Sequence, residues 1–185
     1  MRKLSFLMIL IAVAVFANAQ DLTFKPFKFD IAMGYASPSG GGGAKGGFLF
    51  ALEPKYALND NLTLGLRMEA AIMVRARVDE NGQELNGDAK ASGSYLATAD
   101  YYFNTNKFRP FAGVGAGLYK TATADFSESD VKTANKFGFA PRVGFEYGHF
   151  RTALEYNVAG KTGTVNNNYL GLKVGFFIGG GRIAD

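Results

Sequence analysis

The chain predicts an all-β fold, an eight-stranded antiparallel up-and-down transmembrane β-barrel preceded by a cleaved signal peptide. Three observations predict it. Apolar and polar residues alternate with period two over eight stretches of about ten residues, the mark of strands. Short and long connections alternate between those stretches. One face of every stretch is free of charge, and the charges all lie on the other.

The N-terminus stands apart. Met1-Arg2-Lys3 is basic, Leu4 to Phe16 is apolar apart from Ser5, and Ala17-Asn18-Ala19 is a small-x-small cleavage site. This is the pattern of a secretory signal peptide over residues 1–19, leaving a barrel domain over 20–185. The apolar run is about 13 residues, short of the roughly 20 that a spanning helix needs. Without Arg2 and Lys3, 18 of the 20 basic residues remain against 16 acidic ones, so the mature net charge is about +2 and a nucleic-acid partner is not expected. An exported chain with no Cys points to a bacterial envelope rather than a disulfide-bonded secreted protein.

The first strand sets Phe27, Phe29, Ile31, Met33 and Tyr35 against Lys28 and Asp30. The second sets Phe48, Phe50, Leu52 and Tyr56 against Glu53 and Lys55. The third is long, with Leu62, Leu64, Leu66, Met68, Ile72 and Val74 against Arg67, Glu69, Arg75 and Arg77. In the fourth, Tyr95, Tyr101 and Phe103 oppose Asp100. In the fifth, Val114 and Leu118 oppose Gly113, Gly115 and Gly117. The sixth places Phe137, Phe139, Val143, Phe145 and Tyr147 opposite Arg142 and Glu146. The seventh places Phe150, Leu154, Tyr156 and Val158 opposite Arg151 and Glu155. The eighth places Leu170, Leu172, Val174, Phe176 and Ile178 opposite Lys173.

The sense of this pattern decides the environment. A soluble barrel turns its apolar face inward and its charges to water. Here the charged face also carries glycines and aromatics, and its charges are mixed in sign, as in Arg67/Glu69, Arg142/Glu146 and Arg151/Glu155. That suits a crowded interior where charges are paired. The charge-free face, with tyrosines near strand ends, suits a lipid-facing belt with aromatic girdles. The connections 57–61, 104–109 and 148–149 are short; 37–47, 79–92, 122–136 and 159–167 are longer and polar, and are expected as extracellular loops. An even strand number brings both chain ends to the periplasmic side. A closed barrel leaves no bare sheet edge in lipid.

The block Tyr95 to Phe103, followed by Phe108-Arg109-Pro110-Phe111-Ala112-Gly113-Val114-Gly115-Ala116-Gly117-Leu118-Tyr119, resembles the outer-membrane β-barrel (porin-like) family of Gram-negative bacteria. Gly171-Leu172-Lys173-Val174-Gly175-Phe176-Phe177 resembles its last strand. The resemblance implies a barrel of the OmpA/OmpX type in the cell outer membrane, in contact with lipid and lipopolysaccharide, and inserted by the barrel-assembly machinery. Such proteins often end on an aromatic residue that this machinery reads. Here Gly179 to Asp185 follows Phe177 and Ile178. The insertion signal is then internal, or the strand frame is shifted, or the host reads a different signal.

No enzyme is expected. Gly113-x-Gly115-x-Gly117 lacks a following helix, and small inward residues there make room for larger neighbours. The run Gly40 to Gly47 contains Lys45 but no Gly-Lys-Ser/Thr, and reads as a flexible loop. Ser129-Asp130-Val131-Lys132 has a Ser-x-x-Lys spacing without its partners. His149 is the only imidazole and falls in a tight periplasmic turn, away from the outer leaflet. No cofactor or metal site is expected. The interesting set is Lys28, Asp30, Glu53, Lys55, Arg67, Glu69, Arg75, Arg77, Asp100, Arg142, Glu146, Arg151, Glu155 and Lys173, a polar network in the barrel interior. It reads as a hydrogen-bonded plug, because eight strands leave room only for side chains, or as the lining of a narrow pore. Arg75 and Arg77 lie toward the outer end of their strand, where lipopolysaccharide phosphates are in reach, but their inward frame argues against that contact. A structural or surface-interaction role and a small pore or carrier for small or apolar solutes both remain open. A soluble carrier of the lipocalin type lacks its Gly-x-Trp motif, since there is no Trp.

Overall fold

The computed structural model describes residues 23–39, 44–78, 84–125, 131–162 and 165–183. The proposed signal peptide, the stretch 40–43, and Ser129 and Asp130 lie outside the described residues.

Ten strands follow in order: β1 (Phe27–Pro38), β2 (Ala44–Ala57), β3 (Leu62–Val78), β4 (Glu84–Tyr102), β5 (Phe108–Asp125), β6 (Val131–Tyr147), β7 (Phe150–Asn157), β8 (Lys161–Thr162), β9 (Val165–Asn166) and β10 (Tyr169–Gly179). Eight of them close a barrel in the order β1-β10-β7-β6-β5-β4-β3-β2, and β1 pairs with β2 to complete the ring. Every barrel pairing is antiparallel, as an up-and-down meander requires. β8 and β9 form a separate two-residue hairpin.

Alternation assigns the faces. Lys28, Asp30 and Ala36 on β1 are turned inward, while Phe27, Met33 and Tyr35 are exposed. On β10 the buried residues Tyr169, Gly171, Lys173, Gly175 and Phe177 alternate with the exposed Leu170, Leu172, Val174, Phe176 and Ile178. Exposure of the apolar residues is high: 74% for Phe137, 67% for Phe176 and 68% for Ile178. An apolar surface that wraps the whole barrel far exceeds the patches a water-soluble monomer shows. On β5 it runs outward from Phe108 to Leu118. Ten steps of about 3.3 Å, tilted by about 40°, cover about 25 Å. That is the height of the apolar band of an outer-membrane barrel.

Two expectations need correction. The segments 79–92 and 122–136 are largely strand, because β4 begins at Glu84, β5 reaches Asp125 and β6 begins at Val131. Their small, polar residues carry a weak period-two signal, and the cross-strand ladder overrides it. Likewise β1 reaches Pro38 and β2 starts at Ala44, so that loop is shorter than 37–47, and 159–167 contains the β8–β9 hairpin. Within the lengthened β5, Lys120 shares the outward parity of Leu118 and is exposed. The outward face is therefore charge-free only up to the edge of the apolar band.

The two chain ends meet under the barrel. Phe24 bridges to Arg182, and Lys25 N donates to Gly181 O at 2.9 Å. Gly179 and Gly180 turn the chain there with φ of +80° and +61°, a conformation that favours glycine. The strand frame of β10 is thus unshifted, and the chain after it turns back across this mouth of the barrel.

Candidate functional site

The barrel interior is filled in three tiers. Nearest the chain ends, β1, β4, β6 and β7 bring Lys28, Tyr102, Glu146 and Arg151 together. Lys28 Nζ donates to Tyr102 Oη at 2.7 Å and is paired with Glu146. Arg151 Nη1 donates to Glu146 Oε1 at 2.8 Å and Nη2 to Asp100 Oδ2 at 2.9 Å. The Arg151 guanidinium lies 3.8 Å from the centroid of the Phe111 ring, a cation–π contact out of water.

In the middle tier Arg142 on β6 reaches across the barrel. It holds Glu53 bidentately, at 2.7 and 3.0 Å, and donates from Nε to Asp100 Oδ1 at 2.7 Å. Lys55 Nζ lies 2.7 Å from Asp30 and 3.0 Å from Asp100. The third tier ties Arg67 to Glu155, and Lys173 Nζ to Glu69 at 2.6 Å and Glu155 at 2.9 Å. Tyr169 Oη donates to Glu69 at 2.6 Å, and Arg67 Nη2 to Asn157 at 3.0 Å. Above it lies an apolar cluster that includes Leu49, Met73, Leu96, Tyr119 and Tyr169.

Charge explains why so many ionised groups share one interior. Six cations (Lys28, Lys55, Arg67, Arg142, Arg151, Lys173) face six carboxylates (Asp30, Glu53, Glu69, Asp100, Glu146, Glu155), and all are buried. A buried ion costs several kcal/mol unless it is paired and hydrogen-bonded, and within these three tiers each of the six cations lies against at least one carboxylate. A cavity of about 20 Å³ lies among these ions, lined by Asp30, Glu53, Arg67, Arg142, Arg151 and Lys173 among others. That is room for about one water.

The alternation also left residues out. Arg109 and Lys90 are buried too; Arg109 shares the parity of Phe111 and Lys90 that of Ser94, but both fell in segments read as connections. Thr98, Tyr102, Tyr119, Asn157 and Tyr169 join the network as neutral donors and acceptors, and a search for charge alone passes over them. Arg75 and Arg77 end β3 near the outer side, and their side chains lie outside the described residues. His149 sits in the β6–β7 turn, where Nδ1 is 2.8 Å from Phe177 O. A carbonyl only accepts, so Nδ1 carries the proton.

A closed barrel with an apolar belt outside and paired ions inside defines an integral β-barrel membrane protein. The chain belongs to the outer membrane protein beta-barrel domain family, whose model matches residues 5–177, and its place is the cell outer membrane. Among solved structures it is similar to Neisserial surface protein A, with a TM-score of 0.61 and 20% identity over 83% of this chain and 96% of that one. It is also similar to Ail, the attachment invasion locus protein of Yersinia pestis, in complex with the heparin analogue sucrose octasulfate, with a TM-score of 0.50 and 19% identity over 83% and 99%. At these identities the likeness is one of fold. The comparison with curated proteins finds no match.

Proposed function

We propose that this protein is a non-conducting outer-membrane barrel with a structural and surface-contact role. The observation that carries the reading is the cross-linked ionic interior, whose cavity among the charges has room for about one water. An ion crossing it would have to break several buried ion pairs in sequence, each held by partners on different walls.

The outer side supports surface contact. β3 to β6 are 17, 19, 18 and 17 residues long, against 12 in β1, 8 in β7 and 11 in β10. They rise above the apolar band as a raised sheet. The β6–β7 ladder begins only at Arg142, preceded by one bridge between Phe139 and Val158, so among the described residues β6 from Val131 to Gly138 has a strand ladder on one side alone. An open edge of this kind accepts a further strand from a partner. Lys120, exposed at the outer rim of the band, is set to meet lipopolysaccharide phosphates.

Planar-bilayer recording of the purified protein tests the reading. The expected trace has no discrete conductance steps. Reproducible steps from the wild-type chain would overturn it in favour of a small pore.

A further inference from the structure

A second cavity, about 300 Å³, opens at the periplasmic mouth beneath the ionic plug. Its size is that of a small-ligand site. Its floor is the turn of the C-terminal tail, and its walls include Phe24 and Phe177. Lys107, Arg109 and Arg182 contribute three cations. Among the described residues, the one carboxylate lining it, Glu146, is already paired with Lys28 and Arg151 inside the barrel. The described lining of the cup is therefore net positive.

Arg109 is the built part of the site. Its side chain is 9% exposed. The guanidinium carbon lies 4.0 Å from the Phe24 ring centroid and 4.3 Å from that of Tyr102. Nη2 donates to Asp60 O at 2.6 Å. These contacts hold the planar group in place. Nη1 is 3.9 Å from Glu146 Oε2, too long for a hydrogen bond. Nε is buried and has no acceptor among the described residues. Glu146 Oε2 is likewise without a donor there. An unpartnered buried donor on a fixed cation costs free energy unless something fills the place. Arg182, 5.9 Å from the same Phe24 ring, has no carboxylate within 4.0 Å among the described residues.

We infer that the periplasmic mouth binds a carboxylate group carried on a small, partly apolar stem. The planar guanidinium matches a planar carboxylate, and Arg182 adds a second charge. Phe24 and Phe177 take the stem. A monoanion fits better than a phosphate dianion, because Glu146 lines the same cup and its repulsion grows with ligand charge. Two sources carry this chemistry: a free small acid, and the carboxyl end of a periplasmic peptide segment. The site stands whether or not the barrel conducts.

The test is an NMR titration of the refolded mature chain in detergent micelles, followed at the amides of Gly148 and Gly181. The probes are an N-acetyl dipeptide acid, its C-terminal amide, acetate and inorganic phosphate. Saturable shifts are expected with the acids, and binding about tenfold or more weaker with the amide, since a charge-assisted hydrogen bond is lost. Arg109→Gln and Arg182→Gln are each expected to weaken the acid by about tenfold on the same ground, with folding checked by gel mobility before boiling. Arg182 lies on the tail, so its variant remains informative if Arg109→Gln does not fold. Acetate binding as tightly as the dipeptide acid identifies a free acid; a clear preference for the dipeptide identifies a chain end. No shift with either acid, equal binding of the amide, tighter binding of phosphate, or undiminished binding by folded Arg182→Gln overturns the inference.

Discussion

Arg142 donates three hydrogen bonds to two carboxylates, Glu53 on the opposite wall and Asp100 two strands away. Replacing it by Leu leaves both acids with fewer counter-charges in a site that water barely enters. Breaking such a buried pair costs about 3–5 kcal/mol, so Arg142→Leu is expected to lower the unfolding free energy by that amount, read from a urea titration as a lower midpoint at unchanged slope, followed by loss of the compact band on a gel. Arg142→Leu with Glu53→Gln removes one cation and one anion together and is expected to recover part of the loss. The neighbouring glycines are shaped by the same crowding. A Cβ on Gly113 would overlap Asp100 Oδ1, and one on Gly115 would stand 3.0 Å from Leu96 Cδ1. The charged residues themselves were legible from alternation, because period two puts them on one face. Their partners were not, because Glu53 and Arg142 are 89 residues apart and only the ring closure brings β2 opposite β6.

Along single strands, the outward face sets where membrane begins and ends. Val114 sits near the middle of the apolar stretch from Phe108 to Leu118 and is 48% exposed. Arg at the midplane of the lipid face costs about 2–4 kcal/mol. Val114→Arg is therefore expected to destabilise by that amount in vesicles. Lys120→Arg, at the rim, is expected to change the same unfolding midpoint little. Strand ends were the least legible feature. Residues 84–92 and 122–125 contain Asn, Asp, Lys and Thr with small alanines between, a composition that reads as loop. They form strand because β4 and β5 pair continuously from Asp88↔Asp125 to Tyr102↔Phe111, and each added pair satisfies backbone groups that a loop would leave to water.

The whole molecule joins two solvents' rules in one sheet. Lipid outside demands apolar side chains and a sheet without edges; the narrow bore demands paired ions. The β1–β2 and β1–β10 ladders close the ring. Such a closed barrel resists detergent at room temperature. The unboiled protein from the outer-membrane fraction is expected to run faster on a denaturing gel than the boiled one, with an intact mass that begins at Gln20. A single unshifted band in the soluble fraction would contradict the membrane assignment.

Alternation of period two, with charges on one face of each apolar stretch, was enough by itself to determine an eight-stranded membrane barrel. Those are local properties, read from residues two apart, and lipid enforces them strictly. The tertiary structure alone decided how far β3 to β6 rise above the band. It also decided which ion meets which, and that the two chain ends fold together into a cup around Arg109. Phe24, Arg109, Glu146 and Arg182 come from four separate parts of the chain. No spacing in the sequence links them, and only the closed ring and the tail turned by Gly179 and Gly180 bring them within reach of one ligand.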